Sequence, residues 1–239
     1  MAIEQNLQTI QRQIIKAAAL AGRDAQAVSL LAVTKTVKSL QIKELLSLGI
    51  SDLGENRVQD ATKKQDELRE YLKGANQQVK WHLIGSLQTN KARTAIERFD
   101  FIHSLDRWRL AVELNDRILA INKRPEILIQ VNVSGEESKH GLAPGEALDF
   151  YAESSKLSGL RLCGLMTMAP MTPNPEEVRP VFARLRRLFQ EVQEKFHPGE
   201  EWRHLSMGMS NDFQVANQEG ATIIRIGTAI FDPLEEELP

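Results

Sequence analysis

The chain has 239 residues, a formal net charge of −2 and one cysteine. A chain of this length buries a substantial core, and α/β barrels commonly fill it as one domain, so a single domain over 1–239 is expected. The near-balanced charge supplies no basic field for a polyanion, which sets nucleic acid aside, and Cys163 alone builds neither a disulfide framework nor a cysteine metal cluster.

The opening MAIEQNLQTI lacks a basic segment leading into an apolar one, and no later run reaches membrane-spanning length. With its lone cysteine, this predicts a soluble protein of a reducing, cytoplasmic compartment. Residues 3–20 read as a helix ahead of the first strand. Short apolar runs then alternate with amphipathic ones. The strand candidates are VSLLAVTK (28–35), SDLGEN (51–56), VKWHLIG (79–85), FIHSLD (101–106), EILIQVNV (126–133), LRLCGLMTMA (160–169), HLSMGMS (204–210) and TIIRIGTAIF (222–231). Helical spacing of apolar residues falls at 39–49, 55–74, 90–99, 107–123, 143–159 and 175–196. Proline-containing stretches at 169–175 and 197–200 punctuate one domain. Eight strands with intervening helices and right-handed crossovers predict a closed (β/α)8 barrel with an additional N-terminal helix, the alternative being a doubly wound open sheet.

Barrels of this kind place their chemistry at the C-terminal ends of the strands. Lys35 ends the first strand and alternates with Leu31 and Val33, so it points toward the barrel mouth. An amine there is partly desolvated, which favours the neutral form that attacks an aldehyde. The plain alternative is a lysine whose head reaches water. Arg225 alternates with Ile223 and Gly227 on the eighth strand, which closure sets beside the first. A buried guanidinium requires an acceptor. Gly227 and Thr228, with Ser210 at the neighbouring strand end, offer the close backbone approach, N–H groups and hydroxyls that a phosphate takes. Asn56 alternates with Gly54 and Asp52 and reads equally as an inward amide or a turn residue, while Glu55 reads as a cap for the next helix. His82 reads first as a hydrogen-bonded barrel histidine and Trp81 as packing. The charges of 132–141 read as solvated. His103, His140, His197 and His204 lie on separate segments, without metal-ligand spacing.

Taken together, AVTKT (32–36), GENRVQ (54–59), WHLIGSLQTNK (81–91), IQVNVSGEESKHGL (129–142), GLMTMAP (164–170), LSMGMSND (205–212) and IRIGTAIF (224–231) resemble the pyridoxal-phosphate homeostasis protein family, over about residues 28–231. The resemblance implies a barrel similar to the N-terminal domain of alanine racemase, with pyridoxal phosphate held as an aldimine on Lys35. It further implies Ser210, Gly227 and Thr228 on the phosphate, Arg225 facing the pyridine nitrogen and Asn56 near the ring. A role in vitamin B6 and amino-acid homeostasis follows from the same likeness. Racemisation needs a second acid-base group opposite the lysine, which alanine racemase takes from a tyrosine of another domain. Tyr71 and Tyr151, the only tyrosines, fall in predicted helices. A cofactor-binding protein without a complete racemase site is therefore expected, with a low-activity racemase or a Schiff-base aldolase as alternatives. No interface signal stands out in the sequence, so a monomer is expected.

Overall fold

Eight strands close on one another in chain order: β1 (Ser29–Val33), β2 (Asp52–Glu55), β3 (Lys80–Leu83), β4 (Phe101–Leu105), β5 (Glu126–Gln130), β6 (Arg161–Met166), β7 (His204–Ser206) and β8 (Ile223–Ile226). The structure is a computed structural model and describes residues 2–232. All neighbours are parallel, and β8 closes on β1 with Arg225 opposite Leu31. The open-sheet alternative is thereby excluded.

Helices α1 (Ala2–Leu20), α2 (Ser39–Ser47), α3 (Val58–Ala75), α4 (Ala92–Arg98), α5 (Trp108–Ile121), α6 (Ala147–Ser154), α7 (Arg179–Phe196), α8 (Phe213–Gln218) and α9 (Thr228–Phe231) ring the barrel. α1 buries Ile3, Leu7, Ile10, Ile14, Ala17 and Ala18, one stripe at helical spacing. That stripe packs on α8 and α9, which are too short to cover the barrel by themselves. Asn6 fixes the docking by donating from Nδ2 to the carbonyls of Ile230 and Asp232, each at 2.9 Å. No helix among the described residues is long and apolar enough to cross a membrane.

The predicted strands are present but end sooner. β1 stops at Val33, leaving Thr34 and Lys35 in a turn, and β7 stops at Ser206, four residues before Ser210. TIIRIGTAIF divides at Gly227 into β8 and α9. Apolar, β-branched composition runs on past the last ladder bond, so residue preference overstates strand length. Helix α8 occupies a stretch too short for its periodicity to be legible.

Alternation along the strands sorts the core into two layers. Ala32, Leu53, Leu83, Ile102, Ile129, Leu165 and Ile226 face outward into the large helix-packed cluster. Inside the barrel, Phe101, Leu128 and Met166 form a small cluster with Met168. Much of the remaining interior is polar: His82, His103, Ser206 and Arg225 are all buried. Space there is tight between β6 and β7, where Gly164 has φ +150° and an added Cβ would lie 1.9 Å from the His204 carbonyl oxygen.

Candidate functional site

A cavity of about 1110 Å³ opens at the C-terminal ends of the strands. Lys35, Asn56, Ser210, Arg225, Gly227 and Thr228 all line it. The chain thus brings residues near its start into one space with residues near its end, because parallel closure sets β1 against β8.

Lys35 is exposed on the cavity wall, so the partial burial expected from its place after an aliphatic strand is not found. The strand ends early, and the turn carries the side chain into the open mouth. Its backbone is nonetheless held firmly. The Thr34 N–H donates to the Gly54 carbonyl at 2.9 Å, and Thr34 Oγ1 donates to Glu55 Oε1 at 2.6 Å. From α3, Lys64 Nζ donates to the Thr34 carbonyl at 2.5 Å and to Glu55 Oε1 at 2.7 Å. Glu55 is fully buried in this knot and does not cap α3, contrary to its expected role. A carboxylate one residue beyond Gly54 alternates to the helix side of the barrel wall, where the Lys64 ammonium pairs with it.

Asn56 follows β2 directly and stands half-buried at the cavity edge. Its backbone is fixed by close approach of the β3 end: a Cβ on Gly85 would lie 2.2 Å from the Asn56 carbonyl oxygen. Across the mouth, Gln130 Nε2 donates to the His140 carbonyl at 2.9 Å, and both residues line the opposite wall.

The loop after β7 and the turn after β8 meet where the Ala229 N–H donates to Ser210 Oγ at 3.3 Å. Asp212, 5% exposed, lines the cavity beside them and accepts from the Met209 N–H at 2.6 Å. Burial raises its pKa, against the opposing pull of Arg225 and its backbone bonds. Arg225 is 4% exposed. Its Nη1 donates to Ser206 Oγ and its Nη2 to the Thr167 carbonyl, each at 2.8 Å. Burial pulls the guanidinium down to about 10, with Asp212 opposing the shift. Two of its five N–H groups are used by these bonds, leaving donors for an acceptor in the cavity.

Two histidines that are far apart in sequence come together below the arginine. His82 Nδ1 lies 3.0 Å from His103 Nε2, and His82 Nε2 lies 3.0 Å from Asp52 Oδ1. His82 is thus a hydrogen-bonded barrel histidine, and His103 is its partner. Trp81 packs in the outer core. Sequence reading passed over Ser206, Thr167, Lys64, Gln130 and Asp212. Ser206, Asp212, Thr167 and Gln130 fall inside the quoted motifs, but no local pattern marks them out from their neighbours there.

The family model of the alanine racemase N-terminal domain matches residues 2–233. Pyridoxal phosphate homeostasis proteins of Aquifex aeolicus and Pseudomonas aeruginosa are each 41% identical, covering 95% and 96% of this chain and 96% and 94% of their own. Among solved structures, PipY of Synechococcus elongatus with PLP bound superimposes with TM-score 0.80 at 34% identity, covering 96% of this chain and 99% of that one. Alanine racemase of Clostridium difficile matches at TM-score 0.70 and 14% identity, covering 96% of this chain and 56% of the racemase, which is a likeness of fold. The chain belongs to the alanine racemase N-terminal domain family and, within it, to the pyridoxal phosphate homeostasis proteins.

Proposed function

We propose that this protein is a cytoplasmic, monomeric carrier of pyridoxal phosphate, its barrel acting as a single binding domain in vitamin B6 and amino-acid homeostasis. The observation that carries this reading is the opening of Lys35, Arg225 and the Ser210–Thr228 turn onto one cavity. These residues fit the cofactor's three chemical handles. Lys35 would supply the amine for its aldehyde carbon, with water as the leaving group. Ser210, Gly227 and Thr228 hold its phosphate through hydroxyls and backbone N–H groups. Arg225 would present donors to the ring nitrogen, and Asn56, on the same cavity, would hold the ring. When bound, the cofactor would supply an electron-withdrawing ring, and the Arg225 guanidinium, still charged at neutral pH, would weaken that property by disfavouring a proton on the ring nitrogen.

The residues around the cavity support carriage over racemisation. Tyr71 reaches the Lys43 carbonyl from α3, and Tyr151 packs against Phe196 and Trp202 in the helical layer. Neither lines the cavity, so neither supplies the second acid-base group. The wide mouth also admits water, which weakens charge stabilisation of a carbanion.

The test is a visible spectrum of the protein after incubation with pyridoxal phosphate, followed by single L-amino acids in deuterated water. An imine band that borohydride removes, without sustained exchange at Cα, fits a carrier. Absence of the band defeats the binding reading, and lysine-dependent exchange defeats the carrier reading.

A further inference from the structure

We propose that Ser206, His103, His82 and Asp52 form a one-directional hydrogen-bond relay through the barrel core that holds the Arg225 guanidinium aimed at the cavity. They are positioning residues, acting on a bound ligand only through Arg225. The relay's bearing on the ring nitrogen rests on the pyridoxal phosphate reading.

The links are continuous. Arg225 Nη1 is 2.8 Å from Ser206 Oγ, and Ser206 Oγ is 2.9 Å from His103 Nδ1. His103 Nε2 is 3.0 Å from His82 Nδ1, and His82 Nε2 is 3.0 Å from Asp52 Oδ1. The chain begins at the cavity and ends at the first residue of β2, on the opposite face of the barrel. Asp52 there is 22% exposed, whereas His103 and Ser206 are fully buried.

Its direction follows from donor and acceptor chemistry at both ends. A guanidinium only donates, and an ionised carboxylate only accepts. From the arginine end, Ser206 Oγ accepts and its hydroxyl proton goes to His103 Nδ1, the other side-chain group bonded to it. A neutral His103 then carries its proton on Nε2 and donates to His82 Nδ1. From the carboxylate end, His82 must donate from Nε2 to Asp52, which leaves Nδ1 as its acceptor. The two derivations agree on every proton. Burial lowers both imidazoles and keeps them neutral: His103 lies well below the usual histidine range, while Asp52 opposes the shift at His82. Asp52 stays ionised: burial pushes its carboxyl up, but the bond to His82, the nearby Lys80 ammonium and the Ser51 hydroxyl together hold it below its ordinary value.

Such barrel interiors are usually filled by branched aliphatic side chains. Here the His82 ring stacks flat on Phe101, centroids 4.2 Å apart at 4°, so it cannot swing away from either partner without breaking that packing. With the histidines fixed, the Ser206 hydroxyl has one acceptor, and its lone pairs are turned to Arg225. Every proton in the relay points away from the cavity, so none is offered to a ring nitrogen except from the guanidinium itself.

The first test needs no ligand. Long-range nitrogen-15 NMR of the unliganded protein at neutral pH should find both His82 and His103 as neutral imidazoles protonated on Nε2. An Nδ1–H tautomer or an imidazolium at either position overturns the relay. The second test loads the parent and His103 variants with pyridoxal phosphate labelled at the ring nitrogen. His103→Leu should weaken binding by roughly tenfold or more, the worth of one charge-assisted hydrogen bond, and move the ring-nitrogen shift. His103→Asn, whose amide oxygen stands near the Nδ1 position and accepts from Ser206, should restore both. Equal loss in the two variants, or parent behaviour in His103→Leu, overturns the positioning role. If the parent binds no pyridoxal phosphate, that reading fails alone, and the tautomers still decide the relay.

Discussion

Ser210 Oγ accepts a hydrogen bond from the Ala229 N–H at 3.3 Å, which joins the loop after β7 to the turn after β8. The bond joins the two loops into one wall of the cavity. Ser210→Ala and Thr228→Val should each speed release of pyridoxal phosphate by about 10- to 100-fold, the range for one hydrogen bond to a charged group. Transfer to an apo-enzyme, followed by its recovered activity, reads the rate. Release at the parent rate from both variants would place the phosphate elsewhere.

Lys35→Ala should abolish the imine absorbance and leave weaker, noncovalent binding through Arg225 and the phosphate turn. Spectra and equilibrium dialysis measure the two effects separately. An unchanged band would assign the imine to another lysine.

Glu55 is fully buried against Lys64 and Thr34 directly behind Lys35. Lys64→Met strands that carboxylate and should cost about 3–5 kcal/mol of stability, as breaking a buried pair by one partner does. Adding Glu55→Gln should recover much of the loss. Urea unfolding of the single and double variants checks this, and a single variant within about 0.5 kcal/mol of the parent, the ordinary surface range, would contradict it.

Both relay histidines have native pKa values below the unfolded value of about 6.5. As pH falls through about 6.5 the unfolded chain takes up protons that the native protein refuses, so stability is complete above that pH and declines below it. Each histidine contributes a slope of up to about 1.4 kcal/mol per pH unit. Urea midpoints between about pH 7.5 and pH 5 should fall, and less steeply in His103→Leu. A flat profile over that window would mean that the buried imidazoles protonate freely.

Gly164→Ala should prevent normal folding, because its Cβ would meet the His204 carbonyl at 1.9 Å in a backbone conformation with φ +150°. Circular dichroism and soluble yield check it. A parent-like melting curve would show that β6 and β7 can separate there at little cost.

What the sequence determined by itself is what local pattern encodes. Period-two apolar runs and helical stripes specify eight strands and all the covering helices but α8 and α9, and side-chain alternation places Leu31 and Arg225 on inward faces that closure makes neighbours. The six proposed ligand residues were legible because each stands at or just past a strand end, where this fold gathers its chemistry. The tertiary structure alone decided how far each strand runs, since pairing stops where the neighbouring strand stops. It alone decided that Glu55 turns from a helix cap into a buried partner of Lys64, and that Lys35 stands exposed. The link from Asp52 through His82, His103 and Ser206 to Arg225 could not be read along the chain, because its members are separated by 19 to 103 residues at successive contacts. Hydrogen bonds across a barrel depend on register and shear, which no single segment contains.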